Sequence, residues 1–295
     1  MIPIFIPSYN RAGITKTPAL LDACGVTNYK IVVRPSQYAD YAKYHKKQNL
    51  LALDAEKGLI YAREFIRQHV KRGEWCLQFD DNLQRFYVCN EEFYKLYDHF
   101  ERGPGGLTEI NRRWDHIIRG PSTNFAQFYR IIVKDTMREA DKRGAVLCGF
   151  SAQNSSSMRG PHKWADVKFV CGQALLIKNV GFPWCHISSK TGDGEDFSLT
   201  AAHLLEFGRV LVNMWGAPVK NHYTPGGCGT FEERLPTMIR AHTEIMQRYP
   251  DLFRTKTRGP KGIERVEGQI RLRLHTLEQV AAWRAGFPRG VDKWK

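Results

Sequence analysis

Several absences narrow the class of this chain before any motif is read. No apolar run approaches the 18 residues that a membrane-spanning helix needs, so a transmembrane helix and a membrane partner are not expected. The opening Met1-Ile2-Pro3-Ile4-Phe5-Ile6-Pro7 has no basic n-region and no small-residue cleavage site, so a secretory leader is not expected and the expected location is the cytoplasm. No two cysteines stand as CxxC. The seven present (Cys24, Cys76, Cys89, Cys148, Cys171, Cys185 and Cys228) are odd in number and lie mostly among apolar neighbours. That excludes a disulfide framework and a zinc site, and reads as buried thiols in a reducing compartment. There is no internal repeat and no low-complexity tract. Acids are scarce against bases, at 30 to 44, which leaves a net charge of +14. Such an excess favours a polyanionic partner.

What is present is an ordinary globular composition of 42% hydrophobic and 25% charged residues. At 295 residues the chain can bury about three quarters of its unfolded surface without staples. Short apolar runs alternate with amphipathic ones. Strands are predicted at Ile2–Ile6, Tyr29–Val33, Leu50–Leu53, Trp75–Phe79, Gln84–Val88, Ala145–Phe150, Lys168–Cys171, Gln173–Ile177 and Arg209–Val212. Helices are predicted at Thr17–Ala23, after Ser36, and at Gly58–Lys71, Thr123–Arg143, Glu195–Phe207, Leu235–Tyr249 and Gln269–Ala285. This alternation implies a mostly parallel α/β sheet flanked by helices, in which ligands bind at the carboxyl ends of strands. Residues 1–229 read as the catalytic domain, and residues 230–295 as a basic, mainly helical extension. Residues 254–295 hold eleven Lys or Arg against four acids, half of the total excess.

Three polar clusters carry chemistry. Asp80-Asp81-Asn82 ends an apolar strand; close carboxylates repel unless a cation lies between them, and hard cations such as Mg²⁺ or Mn²⁺ take oxygen ligands together with phosphate. The plainer alternative is a turn, which Asp and Asn favour. His222 precedes the Gly-rich Gly226-Gly227-Cys228-Gly229, offering an imidazole to a metal and backbone N–H groups to phosphate, or acting only as a structural histidine. Glu195 and Asp196 open a helix, where a carboxylate can act as general base toward an acceptor hydroxyl or simply complement the helix dipole. Arg34 and Arg63 stand where they could hold phosphate or a base edge.

In order along the chain, Pro7-Ser8-Tyr9-Asn10-Arg11, Arg34-Pro35-Ser36-Gln37-Tyr38, Gly58-Leu59-Ile60-Tyr61-Ala62-Arg63, Asp80-Asp81-Asn82, Gly194-Glu195-Asp196-Phe197 and His222 resemble the GT-A-fold, TET-associated glycosyltransferases of bacteriophages. The resemblance spans residues 1 to about 230. It implies a GT-A-like (Rossmann-like) catalytic domain that moves a sugar from a nucleotide-sugar, expected to be a UDP-sugar, to a hydroxymethylated pyrimidine such as 5-hydroxymethylcytosine in DNA. It further implies work in the host-cell cytoplasm if the protein is viral. By motif position, Pro7, Ser8, Tyr9, Asn10, Arg11, Arg34, Arg63, Asp80 and Asp81 would bind the nucleotide-sugar. Asp80, Asp81, Asn82 and His222 would hold Mn²⁺ or Mg²⁺. Asp196 would be the base, with Glu195 beside it. Asn82 stands where an acid is more usual, and Glu64 where Asn is more usual.

A duplex acceptor needs its base extruded, at a cost of a few kcal/mol. Arg112, Arg113 and Arg119 of an Arg-rich loop, with Arg254, Lys256, Arg258 and Lys261 of the tail, could offset that cost through phosphate contacts. Three rival readings remain at this level. One is a glycosyltransferase acting on a glycan or protein. Another is a non-catalytic DNA-binding protein reusing the fold. The third is a nucleotidyl- or phosphotransferase.

Overall fold

The computed structural model describes residues 1–88, 124–151, 163–182, 193–220, 227, 229–255 and 269–287. The chain begins β1 (Ile4–Pro7), α1 (Thr17–Ala23), β2 (Tyr29–Val33), α2 (Tyr38–Tyr41), β3 (Leu50–Ala52), α3 (Leu59–Gln68), β4 (Trp75–Phe79) and β5 (Leu83–Val88). It continues with α4 (Phe125–Phe128), a π-helical turn (Tyr129–Val133), α5 (Lys134–Arg143), β6 (Leu147–Phe150), β7 (Trp164–Ala165), β8 (Ala174–Lys178), α6 (Glu195–Phe207), β9 (Leu211–Asn213) and β10 (Gly216–Lys220). The described chain ends with α7 (Phe231–Arg248), β11 (Phe253–Thr255), β12 (Ile270–Leu272) and α8 (Leu277–Gly286).

Eight strands form one sheet in the order β3-β2-β1-β4-β8-β6-β9-β7. The first four run parallel, β8 is antiparallel to both β4 and β6, and β9 runs parallel to β6. Strands buried on both faces read as near-continuous apolar runs; β1 does so from Ile4 to Ile6, and β4 does so apart from Gln78, whose buried amide oxygen accepts from Arg63. One core lies between the sheet and α3, α6 and α7, and includes Phe65, Ile66, Leu199, Leu204 and Ile245. The other joins the opposite face to α1, α4 and the π turn through Leu21, Phe125, Phe128 and Ile132. The fold is thus α/β, a mostly parallel mixed sheet between helices, consistent with the GT-A-like expectation.

The local predictions fail in identifiable places. Lys168–Cys171 is loop leading into β8 rather than strand. Gln269–Ala285 is not one helix: Ile270–Leu272 pairs with β11, and α8 begins only after Thr276, whose side chain accepts from the Gln279 N–H in a capping box. The strand β10 escapes sequence reading because Pro218 argues against a strand. It survives because β10 belongs to a two-stranded ribbon with β5, where a missing N–H is tolerated.

The segment after Thr230 packs into the molecule. Tyr249, Leu252, Phe253, Ile270, Leu272 and Val280 are buried in the same core as α3 and α6. Each fully buried apolar side chain of this size contributes about 1.5–3 kcal/mol. Arg254 is exposed on β11. Lys256, Arg258, Lys261, Arg112, Arg113 and Arg119 lie outside the described residues. Among the described residues, no helix is long and apolar enough to cross a membrane.

Candidate active site

A cavity of about 570 Å³ opens at the carboxyl ends of β1, β2 and β4. Its walls carry Pro7, Ser8, Tyr9, Arg11, Arg34, Asp80, Asp81, Asn82, Glu195 and Asp196. Residues far apart in sequence are therefore brought to one surface by the parallel register of the sheet.

The loop after β1 is fixed by β2 and α2. The Ser8 N–H donates to the Val32 carbonyl at 3.0 Å, and the Tyr41 Oη lies 2.6 Å from Ser8 Oγ and accepts from the Arg11 N–H at 3.1 Å. Arg34 stacks its guanidinium 4.0 Å from the Tyr9 ring centre, a cation–π contact that holds both side chains on the cavity wall. Asn10 adopts a left-handed conformation, φ 55°, and turns instead toward Gln37 in a neighbouring shallow depression.

At the end of β4, Asp81 accepts from Ser8 Oγ and from Arg11 Nη1, each at 2.5 Å. Burial raises its carboxyl, with Arg11 and Ser8 opposing. Asp80 faces Lys220, which donates to its Oδ2, and Arg63 Nη2 at 3.9 Å. Burial alone would raise Asp80, but Lys220 and Arg63 outweigh it and hold the carboxyl below its ordinary range.

Arg63 is buried beneath the cavity, 1% exposed, and is absent from its walls. Its guanidinium donates to Gln78 Oε1, the Gly172 carbonyl and Glu195 Oε1, each at 3.0 Å. It therefore positions other groups and does not face a ligand directly. Gly172 is required by this close approach, because a Cβ there would sit 2.8 Å from Glu195 Oε1.

Glu195 and Asp196 open α6. Asp196 accepts from the Gly172 N–H at 3.2 Å and the Phe197 N–H at 3.0 Å. Burial and then the neighbouring Asp196 carboxylate push Glu195 up to about 7, against the pull of Arg63. Burial also raises Asp196, opposed by the Gly172 N–H and Arg63. The pair thus retains a proton far above the ordinary carboxylate range.

Some contributors had no signal in the sequence. Lys220 arrives on the unexpected strand β10. Arg234 of α7 pairs with Asp193, and Met238, His242 and Ile270 close the far wall. Their signal was hidden because α7 reads as a surface helix until its packing is seen. His222 lies outside the described residues, but Gly227 of the same loop donates its N–H to the Tyr9 carbonyl at 2.9 Å. Its φ of 66°, and a guanidinium 2.7 Å from where a Cβ would stand, demand glycine.

Among the described residues, no group of three or more His, Cys, Asp or Glu is arranged to hold a metal. Asp80 and Asp81 nevertheless place carboxylate oxygens on one wall. The five wall carboxylates (Asp80, Asp81, Asp193, Glu195, Asp196) are matched by five wall cations: Arg11, Arg34, Lys57, Lys220 and Arg234. The two aspartates are oxygen donors of the kind a hard divalent cation takes, and each is met in this structure by a cation of the chain, Asp80 by Lys220 and Asp81 by Arg11.

A family model described as TET-Associated Glycosyltransferase matches residues 2–97, about a third of the chain. That span contains β1 to β4, the Ser8 to Arg11 loop, Arg34, Arg63 and Asp80 to Asn82. No curated protein matches the chain. The N-terminal third thus resembles that glycosyltransferase family, and glycosyl transfer is the activity class the match suggests.

Proposed function

We propose that the chain is a metal-dependent glycosyltransferase that moves a sugar from a nucleotide-sugar, of which a UDP-sugar is the leading candidate, to the hydroxymethyl group of 5-hydroxymethylcytosine in DNA. The observation that carries this reading is the convergence of the Pro7–Arg11 loop, the Asp80–Asp81 pair and the Glu195–Asp196 pair on one cavity. The nucleotide lies against the loop after β1 and the Arg34–Tyr9 stack. Arg11 holds Asp81 in place on the diphosphate side. Asp196 accepts the proton of the acceptor hydroxyl as the acceptor oxygen bonds to the anomeric carbon and the bond to the diphosphate breaks, a single displacement with inversion. Burial raises the Asp196 carboxyl, which makes its ionised form a stronger base toward the acceptor hydroxyl. A divalent cation at Asp80 and Asp81, with Asn82 and His222 as further candidate ligands, would neutralise charge on the departing diphosphate. Support for a DNA acceptor comes from the net charge of +14 and the resemblance of residues 2–97.

The test is incubation of hydroxymethylated DNA with a panel of nucleotide-sugars and Mn²⁺, followed by nucleoside mass spectrometry. A sugar-bearing nucleoside with one donor is expected. Unchanged nucleosides with every donor, from a preparation that is folded, would overturn the reading. Transfer to a glycan or protein with no affinity for DNA at low salt would keep the chemistry and replace the acceptor.

A further inference from the structure

The cation that Asp80 holds is itself built into the cavity. Lys220 ends β10, where the pairing with β5 shifts register between Val219 and Lys220. That irregularity turns the last side chain of the ribbon into the cavity wall. Asp80 holds its ammonium by one hydrogen bond, and an ammonium carries three donors. Asp80 is in turn fixed from below by Arg63 at 3.9 Å, and Asp81 beside it by Arg11 at 2.5 Å. The side chains of Lys220 and Asp80 are 19% and 22% exposed, so both reach cavity solvent. A lysine in this position is a point charge on a flexible stem, well suited to phosphate oxygens.

We propose that Lys220 is a diphosphate-binding residue: its ammonium, positioned by Asp80, contacts the leaving diphosphate and gives the site affinity for that group independent of a divalent metal. This rests on the glycosyltransferase reading for the role of the diphosphate as leaving group, but the contact itself asks only for a diphosphate. The alternative is a purely structural ion pair tying β10 to β4, which would set stability and leave ligand affinity unchanged.

Isothermal titration of the full chain in EDTA, with inorganic pyrophosphate and with UDP, separates these. Wild type is expected to bind pyrophosphate without metal. Lys220→Met should lose affinity by about tenfold or more, the size of one charged hydrogen bond, while Lys220→Arg should retain most of it. Thermal unfolding of each variant monitors the structural contribution, and Lys220→Gln serves as a second variant if Lys220→Met does not fold. Equal pyrophosphate affinity in wild type and a folded Lys220→Met protein overturns the proposal, as does wild-type binding that appears only with Mn²⁺. Pyrophosphate binding that depends on Lys220, with no binding of UDP or other nucleoside diphosphates, upholds the contact and refutes the nucleotide-sugar reading.

Discussion

Replacing Arg63 with methionine tests how the site is held together. The substitution keeps the apolar stem but removes a guanidinium that donates to Gln78, Gly172 and Glu195, and that faces Asp80 and Asp196. Taking one partner from a buried pair leaves an uncompensated charge, at a cost of about 3–5 kcal/mol. That cost depends on pH. The Glu195 pKa is about 7 in the fold against an ordinary 4.5, so the folded state holds this proton over a window in which the unfolded chain has released it. The contribution of Glu195 to stability is therefore fully present below about 4.5 and is lost as pH rises through about 7. Removing Arg63 takes away the cation that opposes this rise, so the carboxyl holds its proton to still higher pH. Arg63→Met should then cost more at pH 8, where Glu195 must either keep a proton that the unfolded chain has released or ionise without its counter-charge, than at pH 5.5, where it is protonated in either protein. Each further pKa unit is worth about 1.4 kcal/mol. Urea unfolding of wild type, Arg63→Met and Arg63→Met/Glu195→Gln at both pH values measures the effect. The double variant should recover part of the loss at pH 8. An equal loss at both pH values, with no recovery, would refute the account of Arg63 as the counter-charge of Glu195.

Other consequences follow from the same geometry. Asp196→Asn should lower kcat by about 10²–10⁴-fold with little change in donor affinity, measured by steady-state transfer assays. The wild-type rate should climb through a pH near 7 as the Glu195–Asp196 pair gives up its last proton, and Glu195→Gln should move that limb in a pH–rate profile. Phe128→Ala, which removes a fully buried ring packed 4.8 Å from Phe86 and 5.3 Å from Phe150, should cost about 3–5 kcal/mol in chemical denaturation. Arg254→Glu should weaken DNA binding and shallow its salt dependence, by about one unit of slope for each phosphate no longer neutralised, while leaving UDP affinity unchanged in parallel titrations.

The local elements of the N-terminal half were readable because they rest on local rules. Ile4 to Ile6 are apolar without interruption and Trp75 to Phe79 are apolar except for Gln78, as strands covered on both faces tend to be, and α3 carries Ala62, Phe65 and Ile66 on one stripe. The clusters at Ser8–Arg11 and Asp80–Asn82 were legible because each ends an apolar run, and Glu195–Asp196 because two acids open a helix after a Gly-containing loop. Sequence alone also set the charge excess and the excess of bases after residue 254.

Tertiary structure decided what each group does. Arg63 reads as a surface ligand, but its helix places it at 1% exposure, where a charge persists only among Glu195, Asp80 and backbone acceptors. Lys220 gives no signal, because Pro218 hides its strand and its partner Asp80 is 140 residues away. Met238, His242 and Ile270 join the cavity wall only because α7 and β12 pack back onto the core. Propensity and periodicity act over a turn or a strand, whereas burial and charge pairing are properties of the whole packed chain. That is why the sequence by itself determined which segments carry the chemistry, and only the packed sheet and helices decided which carboxylate is neutralised, by which cation, and which faces the cavity.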